Sequence, residues 1–317
     1  MSITFPTTDL KVPSGITAMP SEFKRPAFGT LYGFDAQQGA GGGGSSGFNI
    51  DVRDTEANIF ARTGDASGVI AYGTDTYNLY VYDGTNWQIY INSFSNEASV
   101  SLDGTDDFIL CGNDSSLAPA NITLSCWFKA SGTIHAFNYI IGKAGATYGS
   151  FYLRFTSGNK FNYFISFDSG GTHRQSDFNT AVTLTDWHHV ALTYDGSHIK
   201  GYVDGSEDYS IAETRTINYA ANATYGTDFW IGKGQFTSNA EGLIDEVALF
   251  NSALSATDIS DIYNSGVPTN LASYSPVSWW RMGDICGSTG TNIPDWGSAT
   301  NDGTLTNGPT FSTDVPS

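Results

Sequence analysis

Basic residues are scarce: 14 Lys and Arg stand against 32 Asp and Glu in 317 residues, a formal net charge of 14 − 32 = −18. A chain this acidic, with a pI of about 4.3, lacks the positive footprint that a phosphate backbone demands, so nucleic-acid binding is disfavoured. Cysteine is scarce too. Cys111, Cys126 and Cys286 are odd in number, widely spaced and without a CxxC pair, which signals neither a disulfide framework nor a zinc site and leaves buried thiols as the reading. No run nears the roughly 20 apolar residues that cross a bilayer. The start MSITFPTTDL has neither the basic residues nor the apolar stretch of a signal peptide. These absences predict a soluble protein made in a cytoplasm, with no membrane insertion.

Aromatic side chains are abundant: 20 Phe, 17 Tyr and 7 Trp cannot all stay solvated, so the chain is not intrinsically disordered. Residues 1–67 read as an extended anchoring arm, mixing Pro, Gly and rings without periodicity, with a Gly-rich hinge at 39–47. That run lacks the following Lys-Ser/Thr of a phosphate loop. From Gly68 the pattern changes to GVIAYGTDTYNLYVYDGTNWQIYIN, alternating runs broken by turns, which predicts a small β meander over 68–95. Three short strands bury little surface, so the meander calls for a partner.

Residues 96–266 are strand-like almost throughout, with Asp-Gly turn signals at Asp103-Gly104, Asp195-Gly196 and Asp204-Gly205. In HHVALTYDGSHIKGYVDGS, Val190, Leu192 and Tyr194 share one face, the chain turns at Asp195-Gly196, and Ile199, Gly201 and Val203 return. Many strands at this spacing predict a β-sandwich or jelly roll. A helix is predicted at 255–265, with Ser255 as N-cap, Asp258 as the capping-box acid and Gly266 as the stop. Residues 267–317 return to aromatic strands.

Seven blocks between Ala98 and Gly266, from SLDGTDDFI and LSCWFKASG through DWHHVALTYDGSHIKGYVDGS to GLIDEVALFNSALS, resemble the laminin-G-like, concanavalin A-like lectin jelly-roll family in their order. The implied fold is mainly β, a concanavalin A-like jelly-roll sandwich. The tail WWRMGD…NDGTLTNGPTF resembles the segment that usually precedes the family's opening strand. A permuted strand completing the sandwich, docking on a neighbour, and the stub of a second repeat all fit it. The segment from Gly68 to Asn92 is similar to short β modules of tail and head-fibre proteins of tailed phages, notably marine ones.

Catalysis finds little support. The same fold houses glycoside hydrolases with a carboxylate pair on one strand face, but in EGLIDEV Glu241 and Asp245 lie four apart, and alternation sends Asp245 and Glu246 to opposite faces. His188 and His189 are adjacent in a strand, which puts one inside and one outside. No nucleophile elbow and no HExxH occurs. The chain is therefore read as not an enzyme.

Two sites emerge. DGTDDF supplies Asp103, Asp106 and Asp107 within five residues, oxygens of the type a hard Ca²⁺ ion takes; the first and last strands of a jelly roll run side by side, which brings Asp245 toward that turn, and the resemblance implies a structural Ca²⁺ in this neighbourhood, with Asp103 and Asp245 as the leading ligands. Equally, such residues form Asx turns with no metal. Alternation on FYLRF and KFNYFISF groups Tyr152 with Arg154 and Asn162 with Phe164, opposite the core set Phe151, Leu153, Phe155, Tyr163, Ile165 and Phe167. These four are the glycan-binding candidates on an exposed sheet face, unless another sheet or subunit covers them.

The function expected is that of a phage virion structural protein, a tail-fibre or head-fibre decoration, with a lectin-like domain that adheres to host-surface polysaccharide. Homotrimers would gain avidity, and other virion proteins would be met through residues 1–95. That half carries five basic and nine acidic residues, net −4, leaving −14 on the rest. A decoration protein without sugar binding and a glycan hydrolase are the rival classes.

Overall fold

The computed structural model describes most of residues 94–317, apart from 132–136, 144–148, 168–171, 220–227, 235–238 and 285–289. Of the earlier chain it describes 2–3, 23–24, 52–54, 56–62, 70–73, 79–82 and 85–91. The hinge at 39–47 and Cys286 lie outside the described residues. Two compact units divide the chain, Met1–Ser95 and Asn96–Ser317.

In the first unit, β1 (Ser2–Ile3) pairs with β2 (Phe23–Lys24). A four-stranded sheet follows in the order β3 (Val52–Asp54), β4 (Ile70–Gly73), β5 (Leu79–Tyr82), β6 (Trp87–Ile91). The last three form the antiparallel meander. Unlike the predicted arm, residues 52–61 are structured: β3 runs parallel to β4, and α1 (Glu56–Ala61) makes the crossover such pairing needs. One face of α1 supplies Ile59 to a core of Ala71, Tyr80, Tyr82 and Trp87.

The second unit is a sandwich of two eight-strand sheets, antiparallel throughout their described pairings. Its strands are β7 (Ser99–Asp103), β8 (Phe108–Leu110), β9 (Ile122–Ala130), β10 (Phe137–Lys143), β11 (Phe151–Thr156), β12 (Lys160–Phe167) and β13 (Thr172–Ala181). Then come β14 (His188–Tyr194), β15 (His198–Val203), β16 (Ser206–Ala212), β17 (Phe229–Ile231), β18 (Glu241–Phe250) and the helix α2 (Ala256–Tyr263). The tail adds β19 (Ser278–Trp280), β20 (Asn292–Ile293), β21 (Gly303–Thr306) and β22 (Thr310–Ser312). The first sheet runs β13-β12-β11-β10-β17-β8-β21-β20; the second runs β16-β15-β14-β9-β18-β7-β22, with β19 beside β18. This is the concanavalin A-like jelly roll.

Period-two alternation builds the core between the sheets. Phe151, Leu153 and Phe155 of β11 and Tyr163, Ile165 and Phe167 of β12 meet Val190, Leu192 and Tyr194 of β14. Phe128 packs on Phe155 at 5.9 Å, and Phe167 on Tyr194 at 5.6 Å, ring to ring across the two sheets. Cys111 and Cys126 are buried thiols.

Residues 267–317 supply strands to both sheets. β21 pairs with β8, β22 with β7, and β19 with the second half of β18. Trp280 is fully buried, stacks on Phe229 at 5.2 Å and donates its indole N–H to the Asn301 carbonyl at 2.7 Å. A chain ending at Gly266 is therefore expected to lose its cooperative melt, and Trp280→Ala to cost about 3–5 kcal/mol in urea unfolding. An unchanged midpoint in either protein would contradict the tail's place in the sandwich.

Candidate functional site

The outward face of the first sheet carries the aromatic site. Cross-strand register sets Tyr152 opposite Phe164 and Arg154 opposite Asn162. Tyr152 and Phe164 stack with centroids 4.9 Å apart, His173 stacks on Phe164 at 5.0 Å, and Tyr139 meets Tyr152 edge-on at 4.8 Å. Arg154 Nε donates to Asn162 Oδ1 at 2.9 Å and Nη1 to the Tyr139 hydroxyl at 3.2 Å. Asn162 Nδ2 in turn donates to Asp177 Oδ1 at 2.6 Å. The result is a guanidinium–amide–carboxylate relay beside a ring stack.

All four predicted residues come together, opposite the core as alternation requires. Their exposure is not as expected: Tyr152, Arg154, Asn162 and Phe164 are each 3–5% exposed. Stacking and the Arg154 bonds consume the surface that open alternation would leave to solvent. Burial raises the Tyr152 phenol well above its ordinary range. The solvent row lies one strand further out, on β13, where Gln175 pairs with Phe164, Asp177 with Asn162 and His173 with Ser166. His173, Gln175 and Asp177 are exposed. Sequence reasoning missed them, although alternation in THRQSDF already puts the three on one row.

The second candidate is the turn between β7 and β8. Carboxylate oxygens of Asp103, Asp106 and Asp107 lie within 4.8 Å of one another. Asp103 Oδ1 accepts the Thr105 and Asp106 amides at 2.7 and 3.3 Å, and Asp107 Oδ2 accepts the Asp103 amide at 3.1 Å. These bonds hold the turn, as Asx residues do. The Thr105 amide leads in lowering the Asp103 carboxyl, while burial leads in raising that of Asp107. Among the described hydrogen bonds, Asp107 Oδ1 and the whole Asp106 carboxylate accept none. They fit a hard cation that completes its shell with water.

Asp245 does not join that turn. Asp103 pairs with Glu241, and Asp245 lies four residues further along β18, about 13 Å at strand rise. The adjacent acids also break the alternation expected of them. The register shifts between Asp245 and Ala248, and Glu246 adopts φ +48°, a β-bulge that leaves both Asp245 and Glu246 buried. Glu246 Oε1 accepts Arg281 Nε at 3.3 Å, and Oε2 accepts the Trp279 indole N–H at 2.5 Å. Arg281 Nη2 donates to Asp284 Oδ2 at 3.0 Å, and Asp284 Oδ1 accepts the Glu97 and Ala98 amides, both at 2.7 Å. Asp245 Oδ2 is buried without a partner. The histidine pair divides only in part: His189 is buried against Ser125 at 2.8 Å, while His188 is half-buried rather than exposed, its Nδ1 meeting Asp204 Oδ2 at 2.8 Å.

Comparison with known proteins agrees with this architecture. Residues 103–260 match the concanavalin A-like lectin/glucanases superfamily. C-reactive protein 1.1 of Limulus polyphemus is 26% identical over 175 residues, covering 50% of this chain and 68% of that protein. The structure of a Bacteroides ovatus protein assigned to carbohydrate binding superposes with a TM-score of 0.54 at 18% identity, over 79% of this chain and 71% of that one. The CBM40 of a Ruminococcus gnavus sialidase gives a TM-score of 0.43 at 14% identity, over 53% of this chain and 97% of that one. The fold is thus lectin-like. Among the described residues, no helix is long and apolar enough to cross a membrane.

The buried acids carry a pH signature. Burial pushes Asp284 up to about 6 from 3.8 and Glu246 up to about 7 from 4.5, and it raises Asp245 as well. Their folded forms hold protons that the unfolded chain has released, so their contribution to stability is lost as pH rises from about 5 to about 7. His189, lowered by burial to about 4 from 6.5, has the opposite sign: its contribution is lost as pH falls. His189→Gln removes that opposition. Its urea-unfolding free energy is expected to fall between pH 5 and 7 more steeply than that of the unaltered chain, and parallel profiles would contradict the assignment.

Proposed function

We propose that this chain is a non-catalytic carbohydrate-binding protein that engages polysaccharide on the outward face of its first sheet. The observation that carries the reading is the row Tyr152–Phe164–His173, stacked ring on ring and flanked by the Arg154–Asn162–Asp177 relay. Sugars take an aromatic platform for their C–H faces and amides or charges for their hydroxyls. His173, Gln175 and Asp177 offer the accessible contacts, and the buried residues hold them in place. The neighbours assigned to carbohydrate binding support this use of the fold.

Binding fits better than hydrolysis. The adjacent acids of β18 are buried, Glu246 being tied to Arg281 and Trp279, whereas a glycosidase needs two carboxyls about 5–10 Å apart flanking an accessible bond. In this reading the host is a tailed-phage virion and the target a host-surface glycan. Residues 1–95 attach to other virion proteins, and a homotrimer multiplies weak sites into avidity. The resemblance of residues 68–92 to phage fibre modules supports that placement. The Asp103–Asp106–Asp107 turn holds a structural Ca²⁺ ion.

The burial of Tyr152, Arg154, Asn162 and Phe164 favours a second reading, a decoration protein with no sugar site. A polysaccharide array separates the two. The full chain is expected to bind at least one host-surface polysaccharide, and His173→Ala with Gln175→Ala to weaken it about tenfold or more, roughly 1.4 kcal/mol. Silence across the array, or binding indifferent to both substitutions, would favour the decoration role. For the metal, added Ca²⁺ is expected to raise the melting temperature and Asp106→Ala to abolish the rise. No response to Ca²⁺ would remove calcium from the account.

A further inference from the structure

A second concavity lies on the other side of the sandwich. The turn that follows β15, the last turn of α2 and the loop after it line an open cleft of about 620 Å³. Its walls are polar: Asp204 and Ser206 from the hairpin, Asp261 and Tyr263 from the helix, Thr269 and Tyr274 from the loop. Among the described residues, no Lys or Arg lines it.

These walls are fixed in place. Asp204 Oδ1 accepts the His189 amide at 2.9 Å and Oδ2 meets His188 Nδ1 at 2.8 Å, so its carboxylate is aimed by two neighbours. Tyr263 stacks on Trp127 with centroids 5.7 Å apart. Gly205 sits at φ +76°, and a Cβ there would come within 2.8 Å of the Tyr263 ring. The hairpin thus needs glycine to let the ring close against it.

Strain gathers at the same place. Asp204 (φ +48°), Asn264 (φ +45°) and Ser265 (φ +58°) line the cleft, and Ser275 (φ +56°) follows Tyr274. Asp204 opens the Asp-Gly hairpin turn and Asn264 is the left-handed C-cap of α2, so these conformations shape the rim through the turns that form it. Carboxylates, phenols and hydroxyls with little apolar surface between them suit the hydroxyl groups of a polyhydroxylated ligand.

We propose that this cleft is a second saccharide site, specific for neutral or amine-bearing sugars. Asp204 and Asp261 accept hydroxyl or ammonium hydrogens, the phenols of Tyr263 and Tyr274 donate, and the two carboxylates repel uronic, sulfated or sialylated residues. Burial leads in raising both phenols, with Asp204 adding to Tyr263 and Asp261 to Tyr274, so both stay protonated donors at neutral pH. The site is independent of the sheet face, and occupation of both makes one chain bivalent.

Calorimetry on the full chain tests this with maltotetraose, cellotetraose, mannotetraose and chitosan tetramer as probes and trigalacturonate as the acidic control. The His173→Ala, Gln175→Ala protein keeps the cleft and disables the face. It is expected to bind at least one neutral or amino tetrasaccharide and to ignore trigalacturonate. Adding Asp261→Lys or Tyr274→Ala is expected to weaken that binding about tenfold or more with the melting temperature unchanged. Asp261 is exposed, so its substitution spares the core even if that of Tyr274 does not. The proposal is overturned if none of the four probes binds the face-disabled protein, or if binding there ignores Asp261→Lys. Loss of all binding on disabling the face alone would spare the face reading and sink this one.

Discussion

The sandwich depends on the buried ionic clasp at the bulge of β18. This strand is central to its sheet, and along one side it changes partner: β7 pairs with Glu241–Ile244 and β19 with Val247–Leu249. The residues between are the bulge. Glu246 takes Arg281 from beyond β19, and Asp284 takes the Glu97 and Ala98 amides leading into β7. One guanidinium therefore ties the entry and the exit of the domain to its central strand. Three buried carboxylates against one arginine are costly, and the cost is consistent with a device that fixes register.

From that junction the tail reaches the rest of the molecule. Asp295 accepts the Trp279, Gly297 and Asn301 amides, each at 2.7 Å, which holds Trp280 in the core. β20, on the outer side of β21, and β22 then close one edge of each sheet. The opposite ends of the sheets, β13 and β16, carry the row of exposed side chains and the hairpin beside the polar cleft. Closure and the two proposed saccharide surfaces thus occupy opposite ends of the same two sheets.

Much of this was legible in the sequence, and the reasons are local. The Asp195 carboxylate receives the Ser197 and His198 amides, both at 2.7 Å, as an Asp-Gly turn signal implies. Ser255 and Asp258 form the predicted capping box. Alternation alone separated Tyr152 and Phe164 from Phe151 and Ile165. It failed at Asp245 and Glu246, because a left-handed residue inside a strand breaks the period of two and nothing in EGLIDEV announces it. The two-turn α1 was too short to show a helical period. The pairing of Thr304 with Leu110 is set by partners distant in the chain, as is the cleft, which joins Asp204 to Tyr274.

The central claim is that polysaccharide is met on the outward face of the first sheet. A crystal structure of the full chain soaked with oligosaccharides cut from an array-positive polysaccharide tests it most directly. A pyranose ring in contact with His173, Gln175 and the edge of Phe164 is the predicted result. Saccharide bound only elsewhere, or that face bare at saturating concentration, would contradict it.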